Sequence, residues 1–348
     1  TFVDKGNRNL ALRPEGTPGV VRAVLQYHLK TPIRLFYIGP MFRYERPQKG
    51  RYREFYQLGV EVIGEGLADT EIELISMAQR FFTAIGLSAV VTKINSVGCE
   101  VCRPQFRNIL KAFLNQNLSN LCEDCKIRAE QNPLRVFDCK EERCQDLYLQ
   151  APKITDRLCY ECQKHFQQVL EGLAKQNLPF ELDKSLVRGL DYYTRTTFEF
   201  VPTGSSELGS KDSIGGGGRY DNLIKDFGGP PTPAIGFALG LERILLCLPK
   251  PEKWRKLVFV IALDEDAQNE GEVVLSKLRN ADIPALKSSQ IKTLRAGLGL
   301  ADNLFCKYVI IIGSNELQKK VYTLKNLQEH TQIEISQDKL IEYLKNNL

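Results

Sequence analysis

Residues 42–64, FRYERPQKGRYREFYQLGVEVIG, decide how this chain is read. The stretch reads as strand, basic loop, strand, with Tyr37 and Ile38 leading in. Pro47, Gln48, Lys49 and Gly50 form a turn, because Pro fixes φ and Gly frees it. From Phe55 to Ile63 aromatic or apolar residues alternate with polar ones, the period of a strand. Arg43, Arg46, Lys49, Arg51 and Arg53 crowd into this hairpin. Strand side chains repeat every second residue, so Gln57 and Glu61 share a face with Arg53. Cations at one end and a carboxylate at the other suit a ligand with phosphates at one end and a basic group at the other. A solvated basic hairpin has the same spacing, and spacing alone leaves both readings open.

The wording is more specific than the spacing. F-R-x-E, a basic loop and R-x-F resemble motif 2 of class II aminoacyl-tRNA synthetases. The longer run GPMFRYERPQKGRYREFYQLGVE, residues 39–61, closely resembles the histidyl-tRNA synthetase family.

Length and composition bound the alternatives. A chain of 348 residues has room for two or three domains. Its 43% apolar and 26% charged residues are ordinary for a globular protein. No stretch approaches the ~18 apolar residues that a membrane span needs. The chain lacks a signal-peptide pattern and an initiator Met, and opens inside a strand–turn–strand pattern, so a fragment is expected. A net charge of +5 is too mild to argue nucleic-acid binding alone. Ten cysteines without a secretory signal argue against a disulfide framework and for the cytoplasm.

Taken in order, Leu12-Arg13-Pro14-Glu15-Gly16-Thr17 sets a carboxylate and a hydroxyl on a turn before a helix over 18–29. Thr17 is placed to cap that helix, with Pro18 at its first position. Val20, Val21, Val24, Leu25 and Leu29 form its apolar stripe. After the hairpin, residues 68–85 read as an amphipathic helix with an acidic start, Asp69, Glu71 and Glu73. A strand over 89–95 follows.

Residues 98–180 read as a helical insertion. Phe106, Ile109, Leu110, Phe113 and Leu114 form a helical stripe, with further helices over 120–131 and 157–176. Eight cysteines lie here, as Cys99/Cys102, Cys122/Cys125, Cys139/Cys144 and Cys159/Cys162. Their spacing is that of zinc ligands. Redox chemistry is disfavoured, since no thioredoxin-like pattern follows. Family resemblance implies an insertion that does not depend on a metal. No metal ligand is therefore assigned, and a structural zinc stays open.

Leu186 to Phe200, LVRGLDYYTRTTFEF, breaks at Gly189 and then alternates as a strand from Tyr192. Arg188 precedes that break, free to enter a cleft. Residues 213–223, SIGGGGRYDNL, let backbone approach closely. Both stretches resemble signatures of the same family. Residues 232–246, TPAIGFALGLERILL, read as a strand and then a helix burying Leu241, Ile244, Leu245 and Leu248. This resembles class II motif 3, with Arg243 near the helix N-terminus, where anions bind. A Pro- and Lys-containing linker over 249–256 marks a domain boundary. Beyond it, strands and helices alternate, implying a small α/β domain with a mainly parallel sheet.

The resemblance implies an α/β protein in the broad sense, with an α+β catalytic core. Its core would be a class II antiparallel sheet flanked by helices, from 1–97 and 181–248. The insertion over 98–180 and a C-terminal anticodon-binding domain over 257–348 complete it. It implies ATP-dependent activation of L-histidine and transfer to the 3′ end of tRNA(His), with ATP as substrate, Mg2+, and a homodimer in the cytoplasm. Motif 1, which builds the dimer interface in the family, would lie before Thr1. Arg188 and Arg43 would neutralise the α-phosphate. Arg51 and Arg243 would hold the outer phosphates, and Phe55 would stack on adenine. Glu15, Gly16, Thr17 and Gln57 would surround the α-amino group of histidine, and Glu61, Tyr192 and Tyr193 its imidazole. Arg46, Gln48 and Lys49 would meet the tRNA acceptor end. The rival reading is a non-catalytic paralogue, either a regulatory subunit of ATP phosphoribosyltransferase or a sensing module. Intact Arg43, Arg188, Arg243 and Glu61 weigh against it.

Overall fold

A computed structural model of the chain describes residues 1–44, 46–87, 89–187, 192–203, 213–248, 255–290 and 293–348. The chain divides into two units, Thr1–Pro249 and Lys250–Leu348.

The first unit opens with a short antiparallel pair, β1 (Phe2–Val3) and β2 (Asn9–Leu10). Then come α1 (Thr17–Gln26), β3 (Ile33–Phe42), β4 (Glu54–Ile63), α2 (Ala68–Ala84) and β5 (Val90–Ser96). α3 (Cys102–Gln116), α4 (Glu123–Gln131), α5 (Glu142–Gln150) and α6 (Tyr160–Lys175) build the insertion. The chain returns through β6 (Phe180–Leu182), β7 (Thr194–Pro202), β8 (Gly215–Arg219), α7 (Leu223–Asp226), β9 (Ala234–Gly240) and α8 (Leu241–Cys247). Seven strands form one sheet in the order β3-β4-β9-β8-β7-β5-β6. Every neighbouring pair is antiparallel except β5 and β6. The hairpin expected from the sequence is β3 and β4, paired from Ile33↔Ile63 to Phe42↔Glu54.

The two faces of the sheet differ because strand side chains alternate. On one face Val62, Ile94, Phe198, Phe200, Ile235 and Leu239 pack against Ile72, Ile75 and Phe82 of α2 and Val169 and Leu173 of α6. Each such fully buried side chain contributes roughly 1.5–3 kcal/mol. On the other face β4 presents Gln57, Gly59 and Glu61, and β9 sets Gly240, Ala238 and Gly236 opposite them. That face carries almost no bulk, which leaves room for a ligand.

Several local expectations change. α1 ends at Gln26, His28 takes a left-handed conformation with φ 50, and Leu29 is exposed. Thr17 makes no capping bond, since its hydroxyl is engaged elsewhere. Glu71 at the start of α2 is buried in ion pairs rather than simply facing the helix dipole. Ile109 is exposed on α3, whose buried stripe is Phe106, Leu110 and Leu114. Leu245 is exposed on the short α8, where only Ile244 is buried. α5 was not expected, because ERCQDLYLQ is short and mostly polar, burying only Cys144 and Tyr148.

A polar network lies beneath the sheet. Arg219 at the end of β8 donates to both oxygens of Glu71, at 2.9 and 2.7 Å, and to the carbonyls of Glu65 and Leu67. His165 of α6 meets the same Glu71 at 2.5 Å. One carboxylate thus ties α2, β8 and the last helix of the insertion together.

The second unit contains β10 (Arg255–Ala262), α9 (Glu265–Asn280), β11 (Ala285–Lys287), α10 (Leu294–Asn303) and β12 (Cys306–Ile312). α11 (Ser314–Lys319), β13 (Val321–Asn326), β14 (Thr331–Ser336) and α12 (Leu340–Asn347) follow. Asp264 and Thr293 cap α9 and α10 by accepting from backbone N–H groups. The strand order is β11-β10-β12-β13-β14. β10 runs parallel to β11 and β12, whereas β13 and β14 are antiparallel additions. The sheet is therefore mixed rather than mainly parallel, because short connections after β12 and β13 turn the chain back on itself. Among the described residues no helix is long and apolar enough to cross a membrane.

Candidate active site

The glycine-rich face of the first unit's sheet floors a cleft of about 730 Å³. Beneath its lining, behind Thr17, Tyr220 and Gly236, lies Glu61, 1% exposed. β4 fixes it in the middle of the sheet, opposite Gly236 of β9. A Cβ at Gly236 would lie 1.7 Å from the Glu61 carboxylate, so only glycine leaves that side chain its place. Thr17 donates to one carboxylate oxygen and Tyr220 to the other, each at 2.6 Å. Burial pushes the Glu61 carboxyl up to about 7, and these two hydrogen bonds pull against that rise.

Tyrosines wall the cleft around Glu61. Tyr192 donates to Glu15 at 2.9 Å, and its ring meets that of Tyr220 edge-on, 5.9 Å between centroids. The ring of Tyr37 lies where side chains at Gly16 and Gly59 would be, 2.2 and 2.1 Å from a built Cβ. Burial first, then nearby charge, pushes Tyr37, Tyr192 and Tyr220 upward, so all three remain donors at neutral pH. Gln57 is buried and lines the cleft, with its side-chain oxygen unpartnered within the protein. A buried acceptor without a protein partner suits a donor on a ligand.

Cations ring the other end. Arg43, Arg51 and Arg243 line the cleft with Phe55. The Arg43 guanidinium lies 5.1 Å from the centroid of the Phe55 ring and donates to the carbonyl of Pro14 at 2.9 Å. Glu242, beside Arg243, accepts the backbone N–H of Tyr56 at 2.8 Å, fixing the start of α8 against β4. The chain between β3 and β4 closes through reciprocal backbone bonds between Gln48 and Arg51, with Gly50 at φ 68. Arg46, Gln48 and Lys49 stand exposed on that loop, outside the cleft lining.

The structure thus brings Glu15, Thr17, Arg43, Arg51, Phe55, Gln57, Tyr192, Tyr193 and Arg243 to the lining of one cleft, with Glu61 buried at its base. Gly16 stands behind it, making room for Tyr37. Arg188 and the rest of its signature through Asp191 lie outside the described residues. Tyr37 and Tyr220 were not singled out from the sequence. Tyr220 comes two residues after the glycine run, and Tyr37 sits across the hairpin from Gly59, signals that a register would have exposed.

Comparisons with known proteins show the family. The family model for histidyl-tRNA synthetase matches residues 1–244, and that for an anticodon-binding domain matches residues 257–347. The histidine–tRNA ligase of Acetivibrio thermocellus is 43% identical over 99% of this chain and 84% of its own length. That of Thermodesulfovibrio yellowstonii is also 43% identical, over 99% of this chain and 83% of its own length. Among solved structures, the apo histidyl-tRNA synthetase of S. aureus superposes with a TM-score of 0.74 at 34% identity. That match covers 98% of this chain and 85% of the other. A chain that fits this family model over residues 1–244 and aligns with these ligases over nearly its whole length belongs to the histidyl-tRNA synthetase family.

Proposed function

We infer that this chain is a histidine–tRNA ligase, a class II aminoacyl-tRNA synthetase that activates L-histidine with ATP and transfers it to tRNA(His). The observation that carries this reading is the polarity of the cleft: one buried carboxylate at its base and three guanidinium groups at its rim. A carboxylate held by two hydroxyl donors suits the N–H of an imidazole. Guanidinium forks suit phosphate oxygens.

In the first step the histidine carboxylate attacks the α-phosphorus of ATP. An O–P bond forms, the bond to the bridging oxygen breaks, and pyrophosphate leaves. In the second, a hydroxyl of the terminal adenosine of tRNA attacks the carbonyl carbon and AMP leaves. Neither step needs a strongly basic side chain, so positioning and charge neutralisation carry the rate. In this reading Glu61, Tyr192 and Tyr193 hold the imidazole, and Thr17 and Tyr220 hold Glu61. Glu15, Gly16, Thr17 and Gln57 surround the α-amino group, the Gln57 oxygen accepting from it. Arg43 and Arg188 neutralise the α-phosphate, Arg51 and Arg243 hold the outer phosphates, and Phe55 stacks on adenine. Arg46, Gln48 and Lys49 meet the acceptor end of the tRNA, and the second unit reads the anticodon.

Mg2+ prefers oxygen ligands and keeps several waters, needing one or two carboxylates beside the phosphates. Glu199 and Glu242 line the cleft and fit that requirement. Bound there, the ion would offset phosphate charge. A homodimer is supported by the edge strand β3, on which Phe36 and Ile38 are 75% and 58% exposed. Ten cysteines without a secretory signal support the cytoplasm.

The test is ATP–pyrophosphate exchange with each amino acid in turn, on wild type and Arg188→Ala. Exchange with histidine alone, lost in the variant, is expected. A folded protein that binds histidine without exchange would instead be a non-catalytic paralogue.

A further inference from the structure

The eight cysteines of the insertion do not stay in their sequence pairs. Cys99 and Cys102 meet Cys159 and Cys162, joining the entrance of the insertion to its exit. Cys122 and Cys125 meet Cys139 and Cys144, nested inside that closure. In each set all four sulfurs lie within 4.8 Å of one another. The first set has Sγ–Sγ separations of 3.8, 3.7 and 3.9 Å, and Cys122 and Cys139 are 3.8 Å apart.

These distances discriminate. A disulfide needs about 2.05 Å, and all eight thiols are free. A tetrahedron's edge is about 1.63 times its centre-to-corner distance, so four sulfurs at about 2.3 Å from Zn2+ are separated by about 3.8 Å. An iron–sulfur cube puts one thiolate on each of four separate irons and spreads the sulfurs further.

Dipoles around the sulfurs suit metal-bound thiolates. Cys122 and Cys159 are the N-cap residues of α4 and α6, where the helix field stabilises negative charge. Backbone N–H groups point at the sulfurs: Cys99 to Cys102 at 3.1 Å, Val101 to Cys99 at 3.4 Å and Cys122 to Cys144 at 3.2 Å. Donors of this kind orient metal-bound sulfur and offset its charge. Gly98 takes φ 69, and a Cβ there would come within 2.7 Å of the Cys102 sulfur. The backbone is thus shaped to admit that thiolate.

The insertion also needs what an ion provides. Its apolar core is small and includes three of the cysteines themselves, Cys125, Cys139 and Cys144. α4 and α5 are nine residues each, shorter than isolated helices need in water. Small cores of this kind commonly rely on a structural metal.

We propose that the insertion binds two structural Zn2+ ions, one held by Cys99, Cys102, Cys159 and Cys162 and the other by Cys122, Cys125, Cys139 and Cys144. The outer ion closes the insertion at its root, and the inner one organises its tip. Neither thiolate set lines the cleft, so metal content can be read independently of catalysis.

The experiment is elemental analysis of the full chain, purified under reducing conditions without added metal. Two zinc ions per chain are expected. Cys102→Ser with Cys162→Ser lowers the content to one, as does Cys125→Ser with Cys144→Ser. A second measurement, independent of how either variant folds, titrates the wild type with an organomercurial. Zinc release, followed with a metallochromic dye, should reach two ions as eight thiols are blocked. X-ray absorption at the zinc edge should give four sulfurs at about 2.3 Å. Fewer than two ions per chain, iron in place of zinc, or zinc retained after thiol blocking overturns the proposal.

Discussion

Replacing Glu61 by Gln separates what the cleft costs the fold from what it does for the ligand. Glu61 is 1% exposed. Burial raises its carboxyl from 4.5 to about 7, against the bonds from Thr17 and Tyr220. At about 1.4 kcal/mol per pH unit, keeping it ionised costs the folded chain roughly 3 kcal/mol well above pH 7. The folded state holds this proton more tightly than the unfolded chain. Its contribution to stability is therefore full at low pH and fades as pH rises through about 7. Gln is nearly isosteric and uncharged, and the two hydroxyls can turn, one donating to the amide oxygen and the other accepting from its nitrogen. Without ligand, Glu61→Gln should gain on the wild type by about 2 kcal/mol between about pH 5.5 and about pH 8.5. Urea unfolding of both proteins at those two pH values measures it. The same variant should lose histidine affinity, because a hydrogen bond to a charged partner is worth roughly 1.5–3 kcal/mol, or about 10- to 150-fold in KM. A stability difference that does not change with pH, or one that moves in favour of the wild type as pH rises, refutes the reasoning.

Other perturbations probe the remaining parts of the site. Arg43→Ala should lower kcat of histidine-dependent exchange by roughly 100- to 1,000-fold, with little change in KM for histidine, as expected for a group acting on charge that develops in the transition state. Gly236→Ala would put a methyl 1.7 Å from a Glu61 oxygen; exchange should fall sharply while circular dichroism stays native. Tyr220→Phe removes one of the two donors to Glu61 and should raise KM for histidine by roughly 10-fold, about one hydrogen bond's worth to a charged group. Arg219→Ala leaves Glu71 buried beside His165 without its guanidinium partner; a loss of roughly 3–5 kcal/mol in urea unfolding is expected.

Much of the site was legible because it is local in sequence. The hairpin carries its own turn and its own strand period, so Arg43, Arg51, Phe55, Gln57 and Glu61 could be placed before any register was known. Long-range pairing could not. Thr17 looked like a cap because Thr before Pro at a helix start usually is one, yet its hydroxyl reaches Glu61, 44 residues away. Tyr37 and Tyr220 reach Gly59 and Glu61 only once β3 is in register with β4, and β8 with β9. Four cysteine pairs can be joined two by two in three ways, and spacing does not select the nested one. The mixed sheet of the second unit was missed because alternating strands and helices predict parallel pairing only while the connections stay long. Leu245 was misplaced because a helical stripe assumes more turns than the seven residues of α8 provide.

The route of the insertion has a consequence for how such chains diversify. It leaves the sheet at the end of β5 and re-enters through β6, which lies beside β5 with Thr92 opposite Phe180. Departure and return therefore fall on neighbouring strands, and the intervening helices add nothing to the path that the sheet must follow. A lineage could lengthen, trim or exchange this excursion as a cassette without altering one strand pairing of the sheet. The exchange would still have to supply the apolar side chains that α6 packs against the sheet, Val169 and Leu173 among them. Any replacement must return a side chain to Glu71 where His165 now stands, or the graft would leave a buried carboxylate short of a partner at its seam.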